Sequence, residues 1–354
     1  MIVDTASNTI QSSYVQGSTA AIISGSTGTT VNSSVLVATN TVGAGLVLQG
    51  GARGLAVSSN TIVAGFQGAG VYLDAGSVGA ITLSTNTIRG GRYCVYVATQ
   101  QAGTTLWITS NTVVPAVSAS FISYGLYLNG LVTGATIQNN GIYIRSPGAT
   151  AGFYTAGIDA NSSAGLVIFQ NRISNPGMVT GSALGVGLTG TPNTIFKYND
   201  VHSTGTSIEN AYHLRLTGSP GAQLLNNVFS SSWSVTSSSS ALFVDAASQP
   251  GFVSDYNDFF SSNSFNSIEW GAASLPFPWT ATTGQDGNSI ARHPRWTDPS
   301  PGVEDFHQLS QAGRWNGTAF VLDGFTSDLI DKADPAESSA NEAAPNGGRA
   351  NLGS

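Results

Sequence analysis

An asparagine recurs through this chain with its surroundings intact, and that recurrence constrains the fold more than any other feature. From Asn60 it reappears at Asn86, Asn111, Asn140, Asn171, Asn199, Asn227 and Asn257, at intervals of 25 to 31 residues, and Asn8 and Asn40 extend the series toward the start. Five residues before each, from Asn60 onward, stand Leu55, Ile81, Leu106, Ala135, Leu166, Thr194, Ala222 and Phe252. Three before stand Val57, Leu83, Ile108, Ile137, Ile168, Phe196, Leu224 and Ser254, and two after stand Ile62, Ile88, Val113, Ile142, Ile173, Val201, Phe229 and Phe259. Apolar residues at alternate positions mark strands with one buried face rather than helices.

A second apolar stretch lies between successive asparagines: "GLVLQG", "GVYLDAG", "CVYVAT", "GLYLNG", "GIDANSS", "GVGLTG", "HLRLTG" and "ALFVDAA". Each repeat thus holds at least two short strands separated by Gly, Ser, Thr and Asn turns, and no helical window serves as a crossover. Such a unit must stack on its neighbours to bury its apolar face. The pattern therefore predicts an all-β parallel solenoid of about ten coils over residues 1–262. The asparagine is placed at a bend between two strands, in the left-handed geometry that Asn tolerates, with its amide stacked on that of the next coil. After residue 262 the repeat dissolves, and residues 263–354 are expected to hold the last coil, an irregular cap over the open coil end and an extended tail.

Composition narrows the partners. Charged residues make up 9% of the chain and the net charge is −7, which argues against a nucleic-acid partner, since phosphate binding needs a concentrated Lys/Arg footprint. Acids are unevenly placed: before Ile195 only Asp4, Asp74 and Asp159 occur. Cys94 is the single cysteine, so no internal disulfide forms, and its apolar neighbours in "YCVYV" make it a strand residue. No apolar run has the length of a membrane helix. The opening "MIVDTASNTI" lacks the basic and apolar regions of a signal peptide and already carries a repeat motif, so the chain reads as a piece of a longer protein with flanking domains.

The "NNxI" and "SNTI" coils resemble the right-handed parallel β-helix repeat proteins, the pectate-lyase-like group. The segment "HPRWTDPSPGVEDFHQLS", followed by "SDLIDKADPAESSANEAAPNGGRANLGS", resembles the closing segment of large exported bacterial β-helix proteins. Ile330, Asp331, Asp334, Pro335 and the run Pro345 to Arg349 match that ending, while Lys332 and Ala333 replace its usual "AG". The resemblance implies a single-stranded right-handed parallel β-helix and an extracellular or cell-surface location. It leaves activity open, because this fold hosts lyases, hydrolases, epimerases, adhesins and inert stalks.

The sequence has no "DD" pair and no "GHG", which argues against a polygalacturonase-like hydrolase. His202, His213, His293 and His307 show no metal-ligand spacing. One surface stands out. If Val71, Val95, Leu126, Ile158, Val186, Leu214 and Leu242 point inward, the next residues, Tyr72, Tyr96, Tyr127, Asp159, Gly187, Arg215 and Phe243, point outward. A parallel outward column holds Asp74, Ala98, Asn129, Asn161, Thr189, Thr217 and Asp245. Stacked aromatics beside amides and carboxylates suit a sugar, so Tyr72, Asp74, Tyr96, Tyr127, Asn129, Asn161 and Asp245 are the carbohydrate-binding candidates. Asp159 and Arg215 flank Gly187 about 10 Å apart, two strand spacings. With His213 on the same strand as Arg215, they are the catalytic candidates. Asp255 and Asp258 in "SDYNDFF" are the weak calcium candidates, and no other cofactor is expected. The chain thus reads as an extracellular β-helix module, structural or carbohydrate-binding. The alternatives are a lyase or epimerase on uronate glycans and a tailspike-like adhesin.

Overall fold

The computed structural model describes the chain apart from residues 1, 4–5, 101–102, 117–121, 131–133, 146–153, 176–181, 207–210, 235–238, 263–266, 341 and 343–346. It is an all-β parallel solenoid of the right-handed type. Each coil gives one strand to each of three sheets. One coil, for instance, contributes Tyr93–Val97 to sheet A, Thr105–Thr109 to sheet B and Thr112–Val114 to sheet C, before Ser123–Asn129 returns to sheet A. Sheets B and C have ten parallel strands each; sheet A has 12, the last of them, Ala273–Pro276, antiparallel. All three inward columns read from the repeat are buried in one continuous core. They line the solenoid because β alternation sends every second side chain to the same side.

The asparagines from Asn60 to Asn257 form an unbroken ladder at the corner between sheets B and C. Each Nδ2 donates to the Oδ1 of the next, from Asn60 to Asn86 at 3.0 Å through to Asn227 and Asn257 at 3.0 Å. The same Oδ1 also accepts the preceding coil's backbone N–H, as Asn140 Oδ1 does from Asn111 N. Each amide thereby satisfies a backbone donor that the bend removes from the strand ladder.

Two details of the bend differ from the sequence expectation. The left-handed residue is not the asparagine but the one before it: Ser59, Thr85, Ser110, Asn139, Gln170, Tyr198, Asn226 and Tyr256 have φ between 52° and 61°. A non-glycine residue there costs about 1–2 kcal/mol, which the buried amide bonds offset. Asn8 and Asn40, moreover, stand outside the ladder. Asn40 lies in an exposed turn and, among the described residues, its side chain accepts only from Val42 N, while Ser34 takes the ladder position below Asn60.

A second corner, where sheet C hands over to sheet A, breaks the alternation. In the strand Tyr93–Val97, Cys94 and Val95 are both buried, and in Ser123–Asn129 so are Gly125 and Leu126. The residues Cys94, Gly125, Gly157 and Gly185 turn into the corner under the Ile and Val column of sheet C. A Cβ on Gly157 would stand 2.5 Å from Ile173 Cγ2 and 2.7 Å from the Gly185 carbonyl.

The C-terminal segment does more than cap. Trp279 is buried against Phe259, ring centroids 4.8 Å apart. Asp286 ends the ladder, its carboxylate accepting from Ser254 Oγ at 2.8 Å, Asn257 Nδ2 at 3.3 Å and Trp279 Nε1 at 2.8 Å. Beyond residue 290 the chain runs back along the outside of the solenoid. There Trp296, Phe306, Leu329, Ala333, Ala350 and Leu352 pack as a separate apolar cluster on Tyr198 and Val228. Bonds from Arg145 to Glu304, Lys197 to Glu337 and Ser354 to Asp200 hold it there.

Candidate functional site

The outward face of sheet A carries the expected column in register. Tyr72 pairs with Tyr96, Tyr96 with Tyr127, Tyr127 with Asp159, Asp159 with Gly187, Gly187 with Arg215 and Arg215 with Phe243. Tyr72 and Tyr96 have ring centroids 5.1 Å apart, Tyr96 and Tyr127 5.3 Å, and all three are half-buried. Each therefore keeps part of its surface for solvent while bracing its neighbour.

The corner adds a column that alternation alone does not predict. With two successive residues turned inward, the residue before them faces out again, so Ala69, Tyr93, Tyr124, Ala156, Leu184, Tyr212 and Ser240 align beside the first column. Tyr93 stacks on Tyr124 at 5.1 Å and 7° and lies 4.9 Å from Tyr96, while Tyr124 lies 4.9 Å from Tyr127. The strip of three thus grows to five tyrosines, of which Tyr124 is buried at 4% exposure and the others are half-buried, with the Arg92 guanidinium 5.2 Å from the Tyr93 ring. Burial, then the negative charges nearby, holds the Tyr72 and Tyr127 hydroxyls above their usual range, so they stay protonated donors. At the far end, Tyr212 donates to Glu269 at 3.2 Å. Burial and that carboxylate push its pKa up to about 12.

Asp159 is 6% exposed and accepts from Asn161 Nδ2 at 3.3 Å. Arg215, two strands away, is exposed and lies 5.3 Å from the Phe243 ring. Between them Gly187 presents no side chain, and Leu184 leans toward the space a Cβ would take.

Three expectations need correction. His213 does not join Asp159 and Arg215. It occupies the corner position, equivalent to Gly185 one coil earlier, and its buried Nε2 lies 2.9 Å from the Ser230 carbonyl. Burial pushes its pKa down to about 3, so it is neutral and faces away from solvent. Asp245, expected on the sugar-binding edge, spends its carboxylate on a turn, accepting from Gly218 N, Ser248 N and Ser248 Oγ. Asp255 and Asp258 do not converge. Asp255 accepts from Asn288 N and Nδ2, whereas Asp258 is buried and accepts from Arg292 N at 2.7 Å. Among the described residues no group of three or more His, Cys, Asp or Glu is arranged to hold a metal ion.

Asp74, Asn129 and Asn161 keep their places on the polar edge beside the tyrosines, Asp74 accepting from Ala75 N. The chain segments entering sheet A are longer than short turns in several coils. Eight residues separate Val114 from Ser123 and ten separate Tyr143 from Tyr154.

Three parallel sheets closed by an internal asparagine ladder decide the architecture. The chain is a parallel β-helix of the right-handed type. No protein-family model and no curated protein matches it. Among solved structures it is similar to a mutant form of the PL6 family alginate lyase AlyGC, at 10% identity and a TM-score of 0.26, over 90% of this chain and 52% of that one. The chain therefore spans about half the length of that enzyme, and a likeness of this degree says nothing of activity. No helix among the described residues is long and apolar enough to cross a membrane.

Proposed function

We propose that this β-helix is a carbohydrate-binding module of an extracellular or cell-surface protein, and that a glycan lies along the outside of sheet A. One observation carries the reading: four half-buried tyrosines, Tyr72, Tyr93, Tyr96 and Tyr127, packed with the buried Tyr124, form a platform on adjacent coils bordered by Asp74, Asn129 and Asn161. Aromatic faces supply apolar area for sugar C–H groups, and the amide edge supplies hydrogen bonds. Coils about 4.8 Å apart let one extended chain touch several of them at once.

A second reading, a lyase or epimerase on uronate glycans, draws on the side-chain-free position at Gly187 between the carboxylate of Asp159 and the guanidinium of Arg215. With His213 turned inward, that reading rests on Asp159, Arg215 and the tyrosine hydroxyls alone.

The test is glycan-array binding with wild type, Tyr96→Ala and Tyr127→Ala, alongside thermal melts. A binding strip predicts retained folding with weakened retention, on the order of 1 kcal/mol per ring. A purely structural ladder predicts lower melting temperatures with retention unchanged, and that result would sink the proposal. Arg215→Ala, assayed for release of unsaturated uronate, separates turnover from affinity.

A further inference from the structure

Away from sheet A, the returning C-terminal segment and the corner of sheets B and C enclose a cleft of about 790 Å³, within the range of small-molecule sites. We infer that this cleft is a second binding site, for a neutral mono- or disaccharide, built jointly by the solenoid and the C-terminal segment.

Aromatic side chains come from both walls. The solenoid contributes Tyr143, Phe169 and Tyr198, the last two 5.6 Å apart edge to face. The returning segment contributes Trp315 and Phe320, 5.4 Å apart and both exposed. Exposed large rings on a hairpin are costly to leave wet unless they meet something, and a sugar ring between two aromatic walls meets both. Gln308 and Asp331 line the cleft, and their Oε1 and Oδ1 are buried acceptors with no hydrogen-bond partner among the described residues, which a guest's hydroxyl donors would satisfy.

Charge argues for a neutral guest. Arg314 is matched by Asp323 at 3.1 Å, and Lys197 by Glu337 at 2.8 Å. Arg172 lines the cleft together with Asp331 and Glu342, so no excess positive charge is left to hold a uronate or a phosphate. Such a site, on the flank and not on sheet A, is independent of the tyrosine platform.

The experiment is saturation-transfer NMR on the full chain with glucose, galactose, mannose, N-acetylglucosamine, maltose, cellobiose and glucuronate. Titration then follows with wild type, Trp315→Ala, Asp331→Asn and the Tyr96→Ala/Tyr127→Ala double variant, each checked for folding by circular dichroism. The expected result is binding of at least one neutral sugar. Trp315→Ala and Asp331→Asn should each weaken it about tenfold, equivalent to about 1.4 kcal/mol, and the double tyrosine variant should leave it unchanged. Binding of no neutral sugar overturns the inference. So does binding that survives both cleft variants, or that is lost in the tyrosine variant, which would assign it to sheet A instead.

Discussion

Replacing Asn140 with alanine tests whether the asparagine ladder stabilises the solenoid or merely accompanies it. The Asn140 Oδ1 accepts from Asn111 N and from Asn111 Nδ2, both at 3.0 Å. Its Nδ2 donates to the Ile108 carbonyl at 2.8 Å and to Asn171 Oδ1 at 2.9 Å. Truncation leaves some of these partners provided for: Asn111 Nδ2 keeps the carbonyls of Leu83 and Thr109, and Asn171 Oδ1 keeps Asn140 N. The Asn111 N–H and the Ile108 carbonyl lose this bond inside the wall. At about 1–3 kcal/mol for each buried group left unpaired, the loss comes to about 2–6 kcal/mol. Asn40→Ala is the internal control, since that side chain accepts from Val42 N in an exposed turn and should change stability by less than about 0.5 kcal/mol. Solenoids lose coils in stages, so a denaturation midpoint should be paired with hydrogen exchange at the Asn111 amide. If Asn140→Ala costs no more than Asn40→Ala, or the Asn111 amide stays protected, the ladder is not what holds this corner.

Docking of the returning segment should depend on pH through Asp200. Burial raises its pKa to about 7, against the bonds from Ser354 that lower it, so the folded state holds the proton that the unfolded chain releases near pH 4. Stability from this group is present below pH 4 and lost as pH rises toward 7. His202 and His213, pushed down by burial to about 4 and about 3, act in the opposite direction. The difference between Asp200→Asn and wild type isolates the carboxyl: the variant should gain by a few kcal/mol between pH 4 and pH 8 in urea titrations, and a flat difference would refute the shift. At the other corner, Gly157→Ala should cost about 1–3 kcal/mol by overpacking against Ile173, read from the melting temperature; a neutral result would show that the corner is looser than drawn.

The inward columns and the ladder were legible because period-two alternation fixes a side chain's face wherever the strand stays regular. What was missed shares one cause. At the corner into sheet A two successive residues turn inward, Cys94 with Val95 and Gly125 with Leu126, so counting by twos loses Tyr93 and Tyr124. The same shift moves His213 from beside Arg215 into the interior. The left-handed position escaped notice for a different reason: Ser, Thr, Asn, Gln and Tyr all occupy it, because the next residue's amide, and not its own side chain, stabilises the bend. Asp245 was misjudged because a carboxylate near a turn is claimed by the nearest backbone donors. The path of residues beyond 290 had no periodicity to follow. Its docking rests on long-range pairs such as Asp200 with Ser354.

The ladder keeps a strict count on one side of the coil and none on the other. From five residues before each asparagine to two after it the spacing never varies, while the stretch entering sheet A ranges from three residues, between Arg89 and Tyr93, to ten, between Tyr143 and Tyr154. The stretch leaving sheet A varies too, with four residues between Leu73 and Val78 and eight between Val244 and Val253. Insertions are thus absorbed on both borders of sheet A, the entry border beside the tyrosine platform most of all. A lineage, or an engineer, can rewrite the rim of the sheet A face coil by coil while the floor beneath it keeps its register. The molecule is in effect a ruler graduated along the asparagine corner and editable along both borders of sheet A.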